Sequence, residues 1–158
     1  GSEMCIRDRK NQAADVDAKG LPRLAFVFVQ KLTTRLWLLT LWTLVVWGGR
    51  VRNILSDPVL STPEQAWRLG LASFFVALAV IGLLVLVGWK NTHPTFAQRF
   101  AAGFSLWTMA LWIVRGGGIL FATHDAAFKI VHTVLALGSI GLALLVYQAE
   151  RQLAASAR

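Results

Sequence analysis

The sequence predicts an all-α integral membrane protein: an up-and-down bundle of four transmembrane helices preceded by an N-terminal interfacial amphipathic helix. Three observations carry that expectation. Between Leu71 and Trp89, Ser73 is the only conventionally polar side chain, and at 1.5 Å rise per residue such a run crosses a hydrocarbon layer of roughly 30 Å. Hydrophobic residues make up 56 % of the 158 and charged residues only 15 %, which excludes disorder and points to one domain. Three further apolar stretches alternate with short polar segments. Lipid forces each backbone amide into a helix or closed barrel, and short connections make consecutive helices antiparallel.

The net charge of +8 does not indicate nucleic acid. Arg7, Arg9, Lys10, Lys19, Arg23, Lys31 and Arg35 all precede the first span, the placement of a topology signal. The single cysteine, Cys5, excludes an internal disulfide, a CxxC pair and a thiolate zinc site within one chain.

Gly1 and Ser2 read as a protease-cleavage scar, and Glu3 to Arg9 matches no periodic element. Residues 1–20 are therefore set apart as a flexible leader, partly extraneous, with no secretory signal in it. The membrane domain is placed at 21–150, with spans at about 34–50, 68–89, 96–115 and 125–148, and a polar tail at 151–158.

Helical patterning begins at Leu21, with Pro22 in the first turn. Only Leu36 to Gly49 separates Arg35 from Arg50, a short core. Either Lys31 and Arg35 snorkel to the interface, or, as favoured, Leu21 to Gln30 lies along the surface and bends inward near Thr33. Ser61, Pro63 and Glu64 have the spacing of a capping box with proline inside the start, so the second helix begins there. Lys90 to Pro94 forms a turn, with Asn91 suited to a left-handed conformation and Pro94 to opening the third helix. Gly116, Gly117 and Gly118 are expected to break that helix near Arg115, because glycine carries the largest backbone entropy cost. The fourth starts at about Thr123 or Asp125.

Basic residues near span ends favour cytoplasmic termini: Lys19, Arg23, Lys31, Arg35, Lys90, Arg99, Arg151 and Arg158 stand against Arg50, Arg52, Arg68, Arg115 and Lys129. The basic, short-looped style suggests a bacterial inner membrane. Trp47, Trp67, Trp89 and Trp112 fall near span ends and, with Trp37, Trp42 and Trp107, read as an aromatic belt; a ligand cage built from them is the alternative.

Polar side chains in a membrane turn toward protein or water. Asp125, Lys129, His132, Ala136, Ser139 and Ala143 share one seam of the fourth helix, and Ala101, Ser105, Thr108, Trp112 and Arg115 share one of the third. The first offers Thr33, Trp37, Thr40, Leu44 and Trp47, with Thr43 beside them. The second, with little besides Ser73, Gly82 and Gly88, is expected to be the most lipid-exposed.

Meeting seams would bring Arg115 beside Asp125 in an ion pair that clamps the turn. The sharper reading is a cationic pocket at the non-cytoplasmic mouth, drawn from Arg50, Arg115, His124, Lys129 and His132, with Asp125 the only nearby acid; it suits an anionic headgroup, a carboxylate or a small anion. His132 lies deepest and is the candidate for a proton relay, a quinone hydrogen bond or a haem ligand. It is eight residues from His124, about 12 Å along an axis, so one helix cannot ligate a metal with both. No metal site is assigned.

HExxH, CxxC and GxSxG are absent from the sequence, and an enzyme is not expected. The preferred expectation is a non-enzymatic accessory subunit that self-associates, or joins a larger membrane complex, through Ala97, Ala101, Ala136, Ser139 and Ala143. The alternatives are an oligomeric channel or transporter for a small solute or anion, and a haem- or quinone-binding anchor using His132.

Overall fold

A computed structural model describes residues 2–57, 62–89, 93–123 and 125–156, with side chains from Val27 onward, that of Trp89 excepted. The described chain is helical apart from its connections. Helix α1 is Ser2–Leu55, α2 is Thr62–Leu84 and ends in a π-helical turn at Val85–Trp89, α3 is Pro94–Phe121, and α4 is Ala126–Ser156. Three helical stretches are long and apolar enough to cross a membrane: Thr62–Gly88, Pro94–Phe121 and Ala126–Ser156. Their outward faces are carbon-rich: Val87 is 76 % exposed, Val114 77 % and Phe121 92 %, more apolar surface than water tolerates on a monomer.

Several boundaries differ from the sequence reading. Helix α1 continues unbroken through Thr33, where a bend was expected. Arg35 there donates to the Leu145 carbonyl of α4 at 2.9 Å, an interhelical anchor that favours one continuous helix. The glycine triplet does not end α3, which runs on to Phe121. In water those glycines would weaken the helix, but lipid offers an opened backbone no partner. Gly116 also packs on α4, where an added Cβ would meet the Ala136 Cβ at 3.4 Å. Helix α4 extends through Ser156, with Leu153 buried, so the expected tail is largely helical. Pro94 opens α3 as its spacing suggests. Ser61 of the capping box and Asn91 of the turn lie outside the described residues.

Helix α1 packs on α2 and α4, and α3 packs on α4, whereas α2 and α3 meet little. The pairings are antiparallel. Leu36 and Leu39 share an apolar cluster with Val85 and Leu86, and Trp47 and Ile54 share another with Ala72 and Phe75. Ala101 and Phe104 lie with Ala143 and Val146, while Gly116 meets Ala136. Between α1 and α4, Trp42 donates its indole N–H to Ser139 Oγ at 2.9 Å. An added Cβ on Gly138 would approach Trp42 to 3.0 Å, so the missing side chain makes room for the indole.

Helix α2 is not the most lipid-exposed. A third of its most apolar window is buried (33 %), against 22 % for each of the other two spans. Ala72, Phe75, Ala79 and Gly82, in alternating steps of three and four, form its buried stripe. Without a hydrophobic drive between helices in lipid, small residues that allow close approach serve as well as polar ones. Gly82 illustrates this, since a Cβ there would stand 2.8 Å from Thr40 Oγ1.

Candidate functional site

The hydroxyl-bearing seam residues in the middle of the helices are inside. Thr40, Thr43, Ser105, Thr108 and Ser139 are all buried, as are Trp112, Ala136 and Ala143. Thr43 and Ser105 donate to carbonyls one turn back, Leu39 and Ala101, at 2.7 Å each, the usual solution for a buried hydroxyl within a helix. Among the described residues, Thr40 Oγ1 and Thr108 Oγ1 have no partner.

Above this band, α1, α3 and α4 enclose a cleft of ≈ 220 Å³, whose lining includes Trp47, Arg50, Asn53, Trp112, Arg115 and His132. The same short pattern builds two of its walls. Trp47 and Arg50 stand three residues apart on α1, and Trp112 and Arg115 three apart on α3, one helical turn in each case. Each turn thus presents an indole toward the interior and a guanidinium above it. Trp47 stacks on Phe75 at 4.3 Å between centroids and meets Trp112 at 6.3 Å.

Both guanidinium groups are half-buried, and among the described residues neither has a hydrogen-bond or ion-pair partner. Arg115 and Arg68 lie near enough to Arg50 to repel it, and Arg68 also repels Arg115. Among the described residues no carboxylate lines the cleft, and Glu64 is committed to Arg68 one turn away. Arginine does not shed its proton, so this wall is cationic at any physiological pH.

His132 completes the site from α4. Its Nδ1 lies 2.9 Å from the Phe128 carbonyl oxygen. A carbonyl only accepts, so Nδ1 carries a proton and donates it there. The ring packs against Phe128 at 3.9 Å between centroids, which fixes its plane.

Of the expected pocket residues, the structure therefore unites Arg50, Arg115 and His132. Lys129 instead donates to the Leu120 carbonyl at 3.0 Å, closing the α3–α4 turn. The expected pair between Arg115 and Asp125 is not formed. Because α3 continues six residues past Arg115, that side chain sits about 9 Å short of the helix end. Asp125 is occupied as the N-cap of α4, where its Oδ1 accepts from the Phe128 backbone N–H at 2.8 Å. His124 lies outside the described residues. The aromatic-belt reading also fails for two tryptophans: Trp47 is 5 % and Trp112 4 % exposed, because their rings fill the space between α1, α2 and α3. Trp67, at 74 %, does face outward. Asn53 is the cleft residue the sequence reading missed; the signal was its position three residues after Arg50.

Among the described residues no group of three or more His, Cys, Asp or Glu is placed to hold a metal. The arrangement can clasp an anion: two planar forks for bidentate hydrogen bonds, an amide from Asn53, and apolar indole walls that strengthen the charge interaction. No family model, curated protein or solved structure matches the chain.

Proposed function

We propose that this protein is a four-crossing membrane protein, an up-and-down bundle with cytoplasmic termini in a bacterial inner membrane, that binds a carboxylate or phosphate group in the cleft of Arg50, Arg115 and His132. The role is one of binding rather than catalysis. The observation that carries it is the pair of half-buried guanidinium groups with no acid or acceptor among the described residues. Desolvating two like charges side by side is costly, and an anion between them reverses the sign of that cost.

The seams first expected to serve self-association are used within the chain: Ala101, Ala136, Ser139 and Ala143 are buried against its own helices. An accessory role in a larger complex would then use another face. Transport of the anion is a second reading, supported by the two buried hydroxyls of Thr40 and Thr108, below the cleft, that lack partners among the described residues. Haem at His132 would have one ligand from each chain, and a Soret band in purified protein would reveal it.

Trp47 and Trp112 line the cleft, so intrinsic fluorescence reads its occupancy. Titration of the purified protein with inorganic phosphate, and separately with acetate, is expected to give a saturable change that Arg50→Gln and Arg115→Gln each weaken by about tenfold or more, the scale of one charge-assisted contact. An unchanged response in both variants, or none in the wild type, removes the binding reading. Liposomes carrying the protein separate transport from binding: saturable phosphate or acetate flux supports the second reading, and leak-level flux leaves binding alone.

A further inference from the structure

Arg115 belongs to two spaces. On one side it lines the cationic cleft; on the other it closes the end of a hollow of ≈ 480 Å³ between α2 and α3. That hollow is walled by Trp67 and Leu71 of α2 and by Trp107, Ala110 and Val114 of α3. Its lining is mostly carbon, and with α2 and α3 touching so little it is open on the outer side, where Trp67 and Val114 are exposed. Beyond an edge-to-face contact of Phe74 with Trp107, at 5.9 Å, a second hollow of ≈ 280 Å³ continues along the same helices past Gly103.

Resting on the anion-binding reading above, we infer that the occupant is an anionic lipid: its phosphate sits between Arg50 and Arg115, and one acyl chain lies in the hollow between α2 and α3. Charge and shape select this class together. A free phosphate satisfies the arginines and leaves the hollow without a role; a zwitterionic lipid fills the hollow and brings a cation toward three arginines, since Arg68 repels both members of the pair. An anionic amphiphile satisfies both halves through the residue they share. In a bilayer, a groove open on the outer side of the helices would admit it by lateral diffusion.

The test uses the full chain in detergent micelles doped with phosphatidylglycerol or phosphatidylcholine of identical acyl composition, with bound lipid read by native mass spectrometry. Glycerol 1-phosphate, the headgroup without chains, is titrated in parallel by tryptophan fluorescence. Ala110→Phe fills the upper hollow, and Gly103→Leu fills the lower, where an added Cβ meets nothing within 4 Å. The wild type is expected to retain phosphatidylglycerol over phosphatidylcholine by about tenfold or more, as two near-surface arginines allow. Ala110→Phe loses that retention yet binds glycerol 1-phosphate as the wild type does, Gly103→Leu loses part of it, and Arg115→Gln loses lipid and headgroup alike. Equal retention of the two lipids, or full retention of phosphatidylglycerol by Ala110→Phe, overturns the lipid assignment. Should glycerol 1-phosphate still bind in that event, the anion cleft stands without the lipid; should neither ligand bind, the cleft reading falls too.

Discussion

The interface between α1 and α4 and the gap between α2 and α3 are built from the same kinds of residue, yet one is closed and the other open. Across the first, Gly138 accepts the face of Trp42, Ser139 takes its indole hydrogen bond, and Arg35 reaches the Leu145 carbonyl. Across the second, large rings face each other, and Phe74 with Trp107 is the edge-to-face contact that bridges it. Apolar content does not decide between them, because lipid is as oily as leucine. Close approach and a satisfied polar atom do. Trp47 adds a geometric cause: reaching from α1, it lies against Phe75 of α2 and Trp112 of α3, and so stands between the two helices that fail to meet.

Removing that wedge should break the contrast most. Trp47→Ala empties a buried site and is expected to cost about 3–5 kcal/mol, the range for deleting a large buried ring, read as lost resistance to denaturation in mixed micelles. Any surviving fold should show α2 and α3 closer together by cross-linking; unchanged spacing with little loss of stability would mean that the gap has another cause.

A matched pair of glycines sharpens it. Gly138→Ala places a methyl 3.0 Å from Trp42 in the closed interface, whereas Gly103→Ala beside the open gap meets nothing within 4 Å. The first should destabilise by about 1–3 kcal/mol through overpacking. The second should be neutral or stabilising by up to ~1 kcal/mol, as alanine replaces glycine within a helix. Equal effects at both positions in thermal unfolding would erase the distinction.

Asp125→Ala gives the smallest expected change, about 1 kcal/mol from the lost N-cap. Hydrogen exchange should report it as faster opening at Ala126 to Phe128 with the α1–α4 contacts unaffected. Loosening that spread to Trp42 and Ser139 would mean that the α3–α4 turn and the closed interface form one cooperative unit.

Much of this architecture is legible in the residues, for reasons that also mark where legibility stops. The long apolar runs disclose three spans, and Pro94 discloses the start of α3, because both signals are local. The inward placement of Ser105, Thr108 and Ser139 follows from the cost of a hydroxyl in lipid, so the seams could be traced on helical spacing. The buried stripe of α2, Ala72, Phe75, Ala79 and Gly82, is illegible because it has no polar marker. The burial of Trp47 and Trp112 is equally illegible, because an indole suits a headgroup boundary and an interior alike and only the neighbouring helices decide. Arg115 and Asp125 could be partners only if α3 ended at Gly116. Once the helix continues, the acid stays at the turn and the arginine is left facing Arg50. The cleft is thus half visible: its cations can be named, but their separation from Asp125 depends on a helix end that composition does not fix.

Arg35 and Arg50 mark the two ends of the apolar part of α1, fifteen residues or ~22 Å apart along the axis, and the first is fastened to α4. In the four-crossing arrangement proposed above, that distance is shorter than the roughly 30 Å of an ordinary hydrocarbon layer. The surrounding leaflets must then dip to meet the two guanidinium groups, a mismatch worth fractions of a kcal/mol per Å. The protein would accordingly gather where the bilayer is already thin, and thin it further where several copies collect.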